Sequence, residues 1–164
     1  MANPTALKLL IFGGNGVLGT AIANKFKAEG YEVTFGVRKV TNSADQFQLP
    51  LTDEPVPELL KGQLFDSVVF AQGANNNDSV INYSSDDLNR LFEANVTFIS
   101  QTTKALILHN LVKHKGKMVI LSSFWEALGI HFGHLFVIFL SFGVPEWETG
   151  SRSMFLVIQG WKWC

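Results

Sequence analysis

The chain has 164 residues, enough for one domain with a buried core, and is 47% hydrophobic and 16% charged. A net charge of −1 excludes the basic footprint of a nucleic-acid or anionic-membrane binder. The one cysteine, Cys164, excludes an internal disulfide, and no basic head precedes the first apolar run, so a cytoplasmic protein without a signal peptide is expected.

Leu7 to Phe12 is an apolar run short enough for a buried strand, followed by glycines spaced G-x-x-G-x-x-G at 13, 16 and 19. Leu18, Ile22 and Phe26 continue at helical spacing, with Gly30 as the stop signal. Strand, glycine turn and helix in this order can hold a dinucleotide pyrophosphate. Glycine lets the backbone turn tightly and approach the ligand, and the helix N-terminus offers N–H groups and a positive dipole end. Gly13, Asn15, Gly16, Val17, Leu18 and Gly19 are therefore candidate cofactor contacts; the plain alternative is a tight turn without a ligand.

Glu32 to Arg38 reads as a second strand. An acid about 20 residues past the glycines would bind the ribose 2′-hydroxyl of NAD, whereas an arginine accommodates the 2′-phosphate of NADP. Val37, Arg38 and Lys39 stand there, which favours NADP over NAD, unless the two cations merely open a solvated loop. Gln46 to Leu49 is a candidate third strand. Pro50, Pro55 and Pro57 break the next segment, and Glu58 to Lys61 allows one or two helical turns. Phe65 to Ala71 is a fourth, buried strand ending in Gln72-Gly73-Ala74. Small residues at that end let a ligand lie across the sheet edge, so Ala71, Gln72 and Gly73 join the candidate cofactor site; Asn75 to Asp78 reads as a polar loop.

Ser84, with Asp87 three residues on, marks a helix start, and the pattern predicts one helix from about Asp86 to His109. Leu88, Leu91, Phe92, Phe98, Ile99, Ala105 and Leu106 mark its apolar face. Asn95 lies on the same face, where a buried amide needs partners: it is either a satisfied core amide or the holder of a water or backbone group for a site. His114-Lys115-Gly116 is expected to close this helix before a fifth strand, Lys117 to Ser123, whose last serines reach the functional edge of the sheet.

Composition changes near Phe124. All four tryptophans and six of the fourteen phenylalanines lie from residue 124 onward, with only five charged residues. Leu128 to Val144 is nearly all apolar, yet its three glycines and its length at the low edge of a bilayer span argue against a membrane segment. His131 and His134 have metal-like spacing without a nearby cysteine or carboxylate, so no metal is expected. Met154 to Ile158 allows a sixth strand covering the edge of the fifth.

Gly13-x-x-Gly16-x-x-Gly19, Ala71-Gln72-Gly73-Ala74, Asn95-Val96 and Gly116 to Ser123 together resemble the short-chain dehydrogenase/reductase family, in its order and spacing, over residues 7 to about 124. The resemblance implies an α/β fold, a Rossmann-type doubly wound parallel sheet of order 3-2-1-4-5, truncated relative to the family. It divides the chain into an NAD(P)-binding domain, 1–124, and an apolar tail, 125–164. It also implies hydride transfer between nicotinamide and a small-molecule carbonyl or alcohol, with Ser123 steadying the substrate oxygen and Asn95 anchoring a proton-relay water. Ala71 to Ala74 departs from the family's usual Asn-Asn-Ala-Gly, and Pro50 stands where an acid often meets the adenine. The family's tyrosine, followed four residues later by lysine, has no counterpart: Tyr31 and Tyr83 both precede Ser123, and Phe136 stands thirteen residues past it. Impaired catalysis is therefore expected, with a non-catalytic dinucleotide sensor or a non-functional fragment as alternatives, and residues past Phe124 read as an altered C-terminus.

Overall fold

In the computed structural model, which describes residues 6–41, 43–51, 55–75, 80–123 and 154–159, the first apolar run forms β1 (Lys8–Phe12). The other strands of its sheet are β2 (Glu32–Val37), β3 (Gln46–Gln48), β4 (Phe65–Phe70), β5 (Val112–Ser123) and β6 (Met154–Gln159). The sheet order is β3-β2-β1-β4-β5-β6, and every pairing is parallel. The expected 3-2-1-4-5 order is thus present, extended by a sixth strand. β6 runs in register from Met118 opposite Met154 to Ser123 opposite Gln159.

Successive residues of a strand face opposite sides, so a strand apolar at every position belongs to a sheet covered on both faces. Leu9 and Ile11 join Val33, Phe35, Val37 and Val69 beneath α1 (Val17–Ala28), which contributes Ala23, Ile22 and Phe26. Leu10 and Phe12 join Val68, Phe70 and Ile120 on the other face, beneath Ile99, Ala105 and Leu106 of α3 (Phe98–Leu108). Phe12 is the hub of an aromatic group there, stacked on Phe70 at 5.0 Å and edge-on to Phe47 at 6.2 Å and Phe98 at 5.9 Å.

α1 stops where glycine permits. Gly30 adopts φ +85, the Gly30 N–H donates to the Lys27 carbonyl, the Tyr31 N–H donates to that of Phe26, and the Phe26 and Tyr31 rings pack edge-on at 4.8 Å. Among the described residues, the proline-broken stretch holds a 3₁₀ turn, Glu58–Leu60.

The long helix differs from its expected form in two ways. It is divided into α2 (Ser85–Phe92), a π turn (Glu93–Thr97) and α3. The wider turn inserts a residue, and buried Leu91 is followed by buried Ile99, eight on, with Phe98 partly buried beside it; Phe92 is 52% exposed instead of joining the apolar face. Its closing signal also differs: α3 ends at Leu108, beside the expected His109, but the residue that stops it is Asn110, which takes φ 51 while the Leu111 N–H bonds the Leu106 carbonyl, and not the expected His114 to Gly116. β5 therefore begins at Val112, and His114 to Gly116 lie within it. There β5 advances from Val112 to Lys117 while β4 advances from Phe65 to Ser67. Gly116 is needed in this bulge, since a Cβ would sit 2.9 Å from the Lys113 carbonyl oxygen.

No helix among the described residues is long and apolar enough to cross a membrane, and none of their His, Cys, Asp and Glu side chains cluster for a metal. The expectations for 125–153, including the apolar run from Leu128 and the pair His131 and His134, lie outside the described residues, as does most of the polar loop after Asn75.

Candidate functional site

The three glycines have three separate physical reasons. Gly13 adopts φ +80, and a Cβ there would lie 2.6 Å from the Gln72 backbone nitrogen, so the turn is pressed against the end of β4. Gly19 seats α1 on the turn; a Cβ would collide with the Gly13 carbonyl oxygen and lie 2.8 Å from Gly14 Cα. A Cβ on Gly16 would meet only the Gly13 oxygen, at 3.4 Å, so this position is open towards the space above the sheet. Tight turn, close ligand approach and close helix packing are the roles that a phosphate-binding glycine turn requires.

The turn is set by its own bonds. The Gly16 N–H donates to the Gly13 carbonyl at 3.0 Å, the Thr20 N–H to Gly16 at 2.8 Å and the Thr20 hydroxyl to Gly14 at 2.9 Å. Gly16 is the N-cap of α1; no side chain caps it and no acid occupies the first turn, so the positive helix end is left for an external anion.

A cleft of about 690 Å³ opens along the C-terminal ends of the strands. The turn contributes Gly13, Asn15 and Gly16, β2 and the residues after it Gly36, Val37, Arg38 and Lys39, and the end of β4 Ala71, Gln72, Gly73 and Ala74. Leu49 closes one side, and Arg90, Glu93, Ala94 and Phe98 the other. Arg38, Lys39 and Arg90 face a single acid in this lining, Glu93, which gives the cleft a cationic balance suited to phosphates. Arg90 also lies 3.8 Å from Asp87, whose carboxyl is held below its ordinary range first by hydrogen bonds from Ser84, in a capping box, and then by Arg90.

Asn95, in the π turn, accepts from the Ala74 N–H at 2.9 Å and donates to the Ala74 carbonyl at 2.8 Å. Both backbone polar groups of one residue beyond β4 are thereby satisfied, and a Cβ on Gly73 would stand 3.2 Å from the Asn95 oxygen. Asn95 is thus a satisfied amide, and the groups that satisfy it belong to the backbone just beyond β4. The Gln72 amide is different: its Oε1 and Nε2 are both buried and neither has a hydrogen-bond partner. A glycine cradle, an uncapped helix end and an orphaned amide on one cleft fit a dinucleotide.

Of the candidate residues, Gly13, Asn15, Gly16, Arg38, Ala71, Gln72 and Gly73 are brought together in the cleft. Val17, Leu18 and Gly19 form the first turn of α1, outside the lining; Val17 is 82% exposed. Asn95 acts on the wall through Ala74 rather than lining it, and Ser123 ends β5 at the same sheet edge. Tyr31 lies just before β2, at the opposite edge, and neither it nor Tyr83 lines the cleft. Leu49, Arg90, Glu93, Ala94 and Phe98 were not among the sequence candidates. The last four recur at i, i+3, i+4 and i+8, one helical stripe, a signal masked by the apolar pattern of the same segment.

A sequence model of the NAD dependent epimerase/dehydratase family matches residues 9–124. No curated protein sequence matches the chain. Among solved structures, the chain is similar to a short-chain dehydrogenase/reductase from Serratia marcescens, with a TM-score of 0.63 and 19% identity over 80% of this chain and 64% of that one. It is similar to a short chain dehydrogenase family protein from Francisella tularensis, with a TM-score of 0.63 and 14% identity over 79% and 56%. It is also similar to the aldohexose dehydrogenase of Thermoplasma acidophilum, with a TM-score of 0.62 and 19% identity over 79% and 53%. The likeness to these structures is one of fold, and the chain spans less than two thirds of the length of each.

Proposed function

The chain belongs to the NAD dependent epimerase/dehydratase family, and on that premise we propose that it binds NADP in preference to NAD and turns it over poorly. The observation that carries the reading is the cleft itself, whose lining includes both the open face of Gly16 and the cations Arg38 and Lys39. The Gly13 to Gly19 turn and the N-terminus of α1 hold the pyrophosphate, and Arg38, with Lys39, takes a ribose 2′-phosphate where Val37 leaves no acid to hold a 2′-hydroxyl. Ala71 to Ala74 forms the floor, fixed from above by Asn95.

Bound nicotinamide supplies the hydride chemistry, exchanged with a small carbonyl or alcohol. Ser123, which ends β5, is the group assigned in this reading to steady the substrate oxygen. General acid/base transfer then needs a group titrating near neutrality, and a phenol, with an ordinary pKa near 10, requires a neighbouring cation to serve. The chain has no tyrosine past Ser123, which favours impaired catalysis and keeps a second reading, a cytoplasmic sensor that binds the dinucleotide without consuming it.

Titration of the purified chain with NADPH and NADH, followed by carbonyl substrates, tests both readings. NADPH is expected to bind at least about tenfold more tightly, the scale of one charge-assisted phosphate contact, and Arg38→Ala to remove that preference. Equal affinities overturn the NADP assignment, turnover at ordinary enzymatic rates overturns the impairment, and absence of binding overturns the reading altogether.

A further inference from the structure

Among the described cleft residues, Gln72 has a side chain at odds with its surroundings. Its amide oxygen and nitrogen are both shut off from solvent, and neither finds a partner. A buried polar group without a hydrogen bond is destabilising, and natural folds retain few of them. The neighbouring amide on the same wall makes the contrast plain, since Asn95 satisfies both of its ends on Ala74. No bond anchors the Gln72 tip, so turning it into the cleft breaks none.

The residue's position narrows what it can meet. Its backbone is pressed on Gly13, the start of the glycine turn, and it shares the cleft with Val37 and Leu49 at the ends of the strands on the β2 side. A primary amide presents a donor and an acceptor side by side, and its complement is a ligand edge with the same pair adjacent. Adenine carries such an edge, its exocyclic amine next to a ring nitrogen, and glutamine reads it with two parallel hydrogen bonds.

We propose that the Gln72 side chain is an adenine-reading group, left without a partner by the fold itself and satisfied when the cofactor's adenine enters the cleft. The proposal rests on dinucleotide binding at this site. It makes Gln72 a specificity residue whose removal separates stability from affinity, because the same two atoms oppose folding of the empty chain and favour the complex.

The test uses the full chain with Gln72→Met, close to isosteric, and Gln72→Leu as a second variant. Melting temperatures of the unliganded proteins and calorimetric titrations with NADPH and with ADP-ribose, which keeps the adenine and lacks the nicotinamide, are compared. The expected result is a Tm raised by about 2–4 °C in the empty variants. Affinity for both ligands is expected to fall roughly tenfold or more. Unchanged affinity for ADP-ribose in both variants overturns the proposal, as does a loss confined to NADPH. Failure of the unaltered chain to bind either ligand is a different result, which removes the underlying site and this inference with it.

Discussion

At the scale of single residues, the turn separates packing from binding. Gly16 and Gly19 look alike in the sequence, yet a methyl group on Gly19 strikes the Gly13 carbonyl and one on Gly16 makes an ordinary contact at 3.4 Å. Gly19→Ala must therefore push α1 off the turn, with an expected loss of about 1–3 kcal/mol in thermal unfolding. Gly16→Ala should fold with nearly unchanged Tm, its φ of −80 being available to alanine, while dinucleotide affinity falls because the methyl occupies the phosphate's approach. Equal losses of stability in the two variants would contradict this division. The roles of Asn95 and Gln72 illustrate what a sequence conceals. Each was visible as an amide in an apolar or small-residue setting, but whether it is satisfied depends on a residue 21 positions away in one case and on the absence of any such partner in the other.

At the scale of elements, legibility followed local chemistry. The Ser84 cap and the Gly30 stop act within a few residues, and both were readable. The end of α3 near His109 was readable as well, but not the residue that stops it, because Asn110 is a weaker left-handed signal than the Lys115-Gly116 pair beyond it, and Gly116 serves a bulge instead. That bulge carries an ion pair at the edge of the sheet away from the cleft. Asp66 of β4 accepts from the Lys8 N–H at 2.8 Å and from Lys113 Nζ at 2.7 Å. Burial alone would raise its pKa, but the bonds from Lys113 and Lys8 outweigh burial and hold the carboxyl below its ordinary 3.8. A depressed folded pKa contributes stability that is complete above the unfolded value and is lost as pH falls through the folded one. Asp66→Asn should therefore lower stability by about 1 kcal/mol at pH 7, a modest figure because Lys113 is partly solvated. The gap to the unaltered chain should close in strong acid, below the ordinary carboxylate range. Thermal unfolding of both proteins as a function of pH measures it, and a gap independent of pH would refute the assignment.

At the scale of the whole molecule, alternating burial in β1 and β4 places α1 on one face and α3 on the other, so the order of the first five strands follows from sequence patterning and right-handed connections. The cleft was half legible: the strand ends advertise themselves by small residues, whereas the wall from Arg90 to Phe98 emerges only once the π turn sets its rotation. The self-bonded glycine turn has a kinetic consequence. Its carbonyls are already engaged by Gly16 and Thr20, so no segment of it has to order itself when an anion arrives. Association should then run in a single phase with a rate that rises linearly with ligand concentration, whereas a rate that levels off would reveal a slow rearrangement before or after encounter. Stopped-flow mixing with NADPH would distinguish a receptor waiting in its final shape from one that must first find it.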